Sequence, residues 1–176
     1  MILIITGPSG VGKNTIINAL SEKLDFKFSV SHTTRPKRKS EVNGKDYHFV
    51  TEEEFQLMIN NNELIEFEEY GGFTYGTSRK ELEQDGLIIL DLEVNGATKL
   101  LNNNSNFIGL FIDIDDEELI NRLKNRGHNS DFINKRMQLA NKQRKYKDMY
   151  DYKIENVDIN TSVKEIIDII YKLEDR

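Results

Sequence analysis

Gly7-Pro8-Ser9-Gly10-Val11-Gly12-Lys13 is the segment of this 176-residue chain best suited to chemistry. Its glycines let successive backbone N–H groups converge on one anion. A following helix would add the positive end of its dipole, and Lys13 could reach the β- and γ-phosphates of a nucleotide. Residues 7–15 therefore read as a phosphate loop for a nucleoside triphosphate. Asn14 stands where such loops usually place a Ser or Thr hydroxyl on Mg²⁺, and Thr15 follows it, so Thr15 or a water is the expected metal ligand.

A phosphate loop needs a buried strand before it and a helix after it. Ile2 to Ile5 is a continuous apolar run ending at Thr6-Gly7, and Ile17, Leu20 and Leu24 recur at helical spacing beyond the loop. Leu87 to Leu92 and Phe107 to Ile114 have the same buried character, and each precedes a segment able to form a helix. The order is that of an α/β fold on a parallel sheet. Tyr150, Tyr152 and Ile154 alternate ahead of Asn156 as a last strand would, and Ser162 with Glu165 reads as a capping box opening a final helix that buries Ile166, Ile170 and Leu173.

Between residues 30 and 80 the rhythm changes. Short alternating stretches, Val30 to Arg35 and Asp46 to Val50, surround one helix with a Thr51/Glu54 capping box and an apolar side of Phe55, Met58 and Ile59. This reads as a small mixed α+β insertion at 31–80. The core is expected at 1–30, 81–121 and 140–176, with a helical lid at 122–139. The asparagine runs at 60–62 and 102–104 suit helix ends and turns.

Composition narrows the partners. With no cysteine and three scattered histidines, neither disulfides nor a structural metal are expected. A net charge of −6 disfavours an extended nucleic-acid surface, while basic residues gather at Arg35 to Lys39 and at Arg122 to Arg136, a pattern suited to small phosphates. No apolar run approaches a membrane span, and the N-terminal residues lack signal-peptide features. A cytoplasmic protein with no membrane and no nucleic-acid partner is expected.

Downstream of the loop, Ser31-His32-Thr33-Thr34-Arg35-Pro36-Lys37-Arg38, Glu41, Gly44, Asp46-Tyr47 and Phe49-Val50 resemble the GMP-binding segment of guanylate kinases. Glu66, Tyr75-Gly76-Thr77, Asp91-Leu92-Glu93 with Gly96, Arg122, Arg126-Gly127, Arg136, Tyr150-Asp151-Tyr152 and Asn156 continue the likeness in family order over nearly the whole chain. The resemblance implies transfer of the γ-phosphoryl group of ATP to GMP, with Mg²⁺ as cofactor. It makes Arg35, Arg38, Tyr47 and Tyr75 ligands of the acceptor phosphate, a task that forked guanidinium donors suit. Glu66 would read guanine, helped by Ser31 and Thr77, because one carboxylate can accept from both N1–H and the 2-amino group. Adenine, with an acceptor at N1, would be refused. Glu41 and Glu93 complete the implied GMP site, Asn156 the ATP site, and Asp91 would hold magnesium through water. Lys13, Arg35, Arg126 and Arg136 are the implied catalytic residues, the last two bridging donor and acceptor phosphates when the lid closes. The likeness leaves monomer and homodimer equally open.

Residue type alone leaves other roles open. Arg38 could be a solvated member of a basic run, Tyr47 and Tyr75 packing aromatics, and Asp91 and Glu93 caps of a sheet edge. The lid arginines could be helix residues paired with Glu117, Glu118 or Asp131. Gly96 and Gly127 read as backbone devices. Three stretches depart from the family pattern: Gly127 to Lys135 is one residue short, Tyr75 to Gly86 about three short, and Asn141-Lys142-Gln143 stands where acidic residues are expected. The competing functions are a related sugar-phosphate kinase, which would not need Glu66, and a non-catalytic phosphopeptide-binding module, in which a degraded phosphate loop would be expected.

Overall fold

The opening strand β1 (Ile2–Thr6) is apolar from Ile2 to Ile5 because both its faces are covered, and buried Thr6 at its end donates its hydroxyl to Leu92 O at 2.7 Å. In the computed structural model, which describes residues 1–83, 85–103 and 106–175, it lies at the centre of a five-stranded sheet. Asn104, the end of the second asparagine run, falls outside the described residues. After β1 come helix α1 (Lys13–Ser21), the short strands β2 (Lys27–Phe28), β3 (His32–Thr33) and β4 (His48–Phe49), helix α2 (Glu52–Asn60), and strands β5 (Leu64–Tyr70) and β6 (Phe73–Ser78). The chain then alternates: β7 (Ile88–Asp91), α3 (Val94–Asn103), β8 (Phe107–Asp113), α4 (Asp116–Asn125), α5 (Ser130–Arg144), β9 (Tyr152–Glu155) and α6 (Ile159–Glu174).

The main sheet has the order β2-β7-β1-β8-β9 with every pair parallel. Strand periodicity sorts its side chains. Leu3, Ile5, Ile89, Leu110, Ile112 and Ile154 face Ile16 and Leu20 of α1 and Val163, Ile166 and Ile170 of α6. Ile4, Ile88, Leu90 and Phe111 face Val94, Ala97 and Leu100 of α3. Two helical layers thus hold the sheet rigid, and the carboxyl ends of β1 and β7 deliver the phosphate loop and Asp91 to one edge.

Residues 31–80 build the second sheet, β4-β3-β6-β5. The Thr51/Glu54 capping box is present in both directions, at 3.1 and 2.7 Å, and Phe55 is the buried residue of α2. The expected alternating stretches shrink to two residues each in β3 and β4. The larger part of the sheet is the β5–β6 hairpin, closed by Gly71 and Gly72 at φ 62° and 81°, the left-handed pair that a two-residue turn requires.

Two expectations are corrected. The last helix is capped by Asp158, not Ser162: the Asp158 carboxylate accepts from Thr161 N and Thr161 Oγ1 at 2.8 and 2.7 Å. Ser162 is already helical, its N–H donating to Asp158 O at 3.0 Å. An ionised N-cap bonded twice fixes the start a turn earlier. Tyr150 lies outside β9, after a 3-10 turn at Lys147–Met149. It is buried against Phe111, its hydroxyl donating to Val94 O and lying 3.1 Å from Thr98 Oγ1. Its apolar ring matched a strand pattern, but the ring packs in the core and its hydroxyl bonds α3.

Candidate active site

Phosphate-loop geometry follows from its glycines. Gly7 has φ 144°, and a Cβ there would sit 2.0 Å from Ile112 O, so the chain passes β8 only as glycine. Gly12 caps α1 at φ 104°, where a Cβ would meet Asn156 Nδ2 at 2.5 Å. The carbonyls of this segment are engaged: Gly7 O by Lys13 Nζ at 2.9 Å, Gly12 O by Ile16 N, and Val11 O by Asn156 Nδ2 at 2.7 Å and Arg122 Nη1 at 3.1 Å. With these carbonyls turned inward, the loop is left to meet a ligand with backbone N–H groups other than that of Val11, which donates to Pro8 O at 3.4 Å. The first turn of α1 carries no acidic residue, whereas α2 and α4 carry three each, so α1 alone of these three leaves its positive end for an external anion.

Pro8 and Val11 are buried and can offer only backbone, while Ser9 is exposed and Gly10 packs on Leu119. Asn14 lines a large cleft together with Asp91; Thr15 is exposed on α1 and is not part of that lining. Asn156 is nearly inaccessible and braces the loop, with its carbonyl held by Arg122 at 2.9 Å.

Two adjoining cavities, about 170 and 770 Å³, share Ser31, Tyr47, Tyr75 and Asp91. The smaller holds Lys13 and Glu66 in one lining, and the larger holds Arg35, Arg38 and Glu41. Glu41 grips Arg35 with both oxygens, at 2.7 and 3.1 Å, and accepts Arg38 N at 2.8 Å. That pairing holds the Glu41 carboxyl below the usual carboxylate range and raises Arg35 further. Arg35 also lies over the rings of Tyr47 and Phe49. Glu41 thus fixes Arg35 at the wall of the larger cavity, engaging Nη1 and Nη2 while Nη1 also donates to Pro36 O at 2.9 Å. Arg38 is exposed at the cleft rim. Tyr47 meets Tyr75 edge-on, and burial raises its pKa, with the charge of Asp91 adding to the rise.

Glu66 stands at the closed end. Thr77 Oγ1 donates to Glu66 Oε1 at 2.8 Å. A Cβ at residue 96 would lie 2.7 Å from Glu66 Oε2, so Gly96 makes room for the carboxylate. Burial, reinforced by Glu68 and opposed by the Thr77 hydrogen bond, pushes Glu66 up to about 7. Asp91, 4.0 Å from Lys13 Nζ, is likewise raised by burial and drawn back down by that cation. Glu93 is exposed on the pocket rim and accepts from Gln143 Nε2 at 3.2 Å.

Of the lid arginines, Arg126 is exposed at the C-cap of α4, beside Gly127 at φ 80°. Arg136 donates to Tyr70 Oη at 2.6 Å. Arg122 pairs with Glu118 at 2.8 Å, as a helix residue would, and also ties α4 to the phosphate loop. Sequence reasoning missed Glu68, Tyr70 and Gln143, which line or touch the pocket. Glu68 and Tyr70 follow Glu66 at strand spacing, a regularity that was available. Arg144 was missed too: it binds both oxygens of buried Asp113, Asp116 and Ile114 O, anchoring the base of α5 to the end of β8. Among the described residues no cluster of three or more acidic or histidine side chains is disposed to hold a metal.

Comparison with known proteins agrees with this geometry. The guanylate kinase family model matches residues 1–173. The guanylate kinase of Mesoplasma florum is 42% identical over 97% of this chain, and the chain spans 60% of that protein's length. Those of Mycoplasmoides gallisepticum and Bacillus subtilis are 37% and 40% identical over 98% and 97% of the chain, which covers 92% and 87% of them. The crystal structure of guanylate kinase from Anaplasma phagocytophilum superposes with a TM-score of 0.80 at 34% identity, covering 98% of this chain and 85% of that one.

Proposed function

The chain belongs to the guanylate kinase family, and from that premise we propose that it moves the γ-phosphoryl group of ATP onto GMP in one in-line step, giving ADP and GDP. The observation that carries the reading is a single cleft with Lys13 of the phosphate loop and Glu66, backed by Thr77, in the same lining. A phosphate binder and a guanine reader in one lining suit a donor and an acceptor nucleotide meeting head to head.

In this mechanism residues 7–15 hold the ATP phosphates, with loop amides and Lys13 neutralising charge. Arg35, set by Glu41, and Arg38, Tyr47 and Tyr75 orient the GMP phosphate, while Ser31, Glu66 and Thr77 take the base, with Glu93 on the rim. An oxygen of the GMP phosphate attacks the γ-phosphorus as the bond to the bridging β,γ-oxygen breaks, and ADP leaves with that electron pair. No covalent enzyme intermediate forms; positioning and charge stabilisation supply the rate. Closure of 122–139 brings Arg126 and Arg136 onto the transferring group and excludes water. Mg²⁺ bound with ATP would screen the phosphate oxygens. The desolvated Asp91 carboxylate, acting through water, and the Asn14 amide on the same cleft wall fit a hard cation's preference for oxygen, with Thr15 the neighbouring hydroxyl.

No helix among the described residues is long and apolar enough to cross a membrane. A cytoplasmic enzyme acting on diffusible nucleotides, as monomer or homodimer, accompanies this reading. Incubation with ATP, GMP and Mg²⁺ followed by nucleotide chromatography tests it: equal ADP and GDP are expected, abolished by EDTA. No GDP at high enzyme concentration overturns it.

A further inference from the structure

We propose that Tyr70 is a positioning residue for phosphoryl transfer, its phenol oxygen holding Arg136 of the lid helix at the mouth of the acceptor pocket. The inference rests on the guanylate kinase reading above and adds a residue to it. Tyr70 closes β5 on the face that carries Glu66 and Glu68, and all three line the pocket that contains Lys13. Arg136 Nη1 donates to Tyr70 Oη at 2.6 Å, while Arg136 Cζ lies 4.9 Å from the centroid of the Phe132 ring. Phe132 is itself stacked on His128, with ring centroids 4.1 Å apart. The guanidinium is therefore held by one edge and one face.

A guanidinium has five N–H donors, and Tyr70 takes one of them. The others can bind phosphate oxygens without the tether breaking, so the contact preorganises Arg136 and need not sequester it. A second contact shows the same face of α5 turned to the acceptor pocket. Gln143, two helical turns beyond Arg136, donates to Glu93 on the rim. Without the phenol oxygen, Arg136 would have to be ordered during each turnover. That loss falls on the transition state and leaves GMP bound as before.

Tyr70→Phe keeps the ring and removes the acceptor, so a double-mutant cycle with Arg136→Ala isolates the contact. Tyr70→Phe should lower kcat about three- to tenfold, the net worth of one typical hydrogen bond, with GMP affinity by direct titration within about twofold of the parent. In the Arg136→Ala background the same change should do nothing further. Hydrogen exchange on the nucleotide-free protein gives an activity-independent arm: residues 130–136 should exchange faster in Tyr70→Phe than in the parent. An unchanged or raised kcat, or an equal fold-loss in both backgrounds, would overturn the proposal. A parent that makes no GDP would instead refute the transfer reading, and the exchange arm alone would then decide whether the tether exists.

Discussion

Glu66→Gln should make the protein more stable and a poorer binder of GMP. Burial raises the Glu66 pKa from 4.5 to about 7, so the folded protein keeps a proton that the unfolded chain releases between those values. Stability from this group therefore falls as pH rises from 4.5 to 7 and is constant above. At pH 8 the ionised carboxylate costs the nucleotide-free fold roughly 3 kcal/mol at most. Glutamine removes that penalty, keeps the size, and leaves Thr77 an oxygen to donate to. At about 2–4 °C per kcal/mol for a chain of this length, Tm at pH 8 should rise by several degrees, and the gap should shrink near pH 5. Guanine, meanwhile, presents two donors to a side chain that now has one acceptor and one donor. The mismatch should weaken GMP by about 1–3 kcal/mol, roughly five- to 150-fold. In the parent, GMP affinity should climb about tenfold between pH 6 and 8 as Glu66 ionises. The variant should lack that step, the titration of the GMP phosphate being common to both. Calorimetric melts and GMP titrations at pH 6 and 8 decide the matter. A variant that melts lower at pH 8, or binds GMP as tightly as the parent, would refute the assignment.

Lys13→Met should leave Tm and GMP affinity near the parent's while kcat falls by orders of magnitude, as single-turnover kinetics would show; an unchanged rate would remove the loop from the donor site. Arg126→Ala and Arg136→Ala should each lower kcat more than they weaken GMP binding, because their phosphate contacts form on closure. Arg35→Ala should damage GMP binding as well, since Glu41 already holds Arg35 at the cleft. If both lid variants keep kcat within about twofold, only ~0.4 kcal/mol of barrier, the lid assignment is wrong.

The core was legible because burial on both faces leaves an unmistakable run, as in Ile2 to Ile5, and because Gly7 and Gly12 occupy positions that physically exclude a Cβ. The insertion was less so. Strands of two residues, such as His32–Thr33, carry too little period to be read, and the Gly71-Gly72 turn signal was present but unused. Contacts made across the fold had no local signature at all. Gln143 on Glu93, Tyr70 on Arg136 and Arg144 on Asp113 join residues 50, 66 and 31 positions apart, and only packing reveals them. The cap of the last helix was misread at Ser162, one turn beyond Asp158, whose carboxylate takes two bonds from Thr161 and starts the helix first.

The central claim is that one carboxylate selects guanine for a phosphate loop across a shared cleft. The most direct test is the initial rate of ADP release with ATP and Mg²⁺ when GMP, AMP, CMP or UMP is the only acceptor, corrected for release with none. The account predicts rapid release with GMP and rates with the other three lower by at least about two orders of magnitude, the discrimination expected when a buried hydrogen-bonding group is left facing the wrong partner. Comparable rates with AMP, or no acceptor-dependent release with GMP, would contradict it.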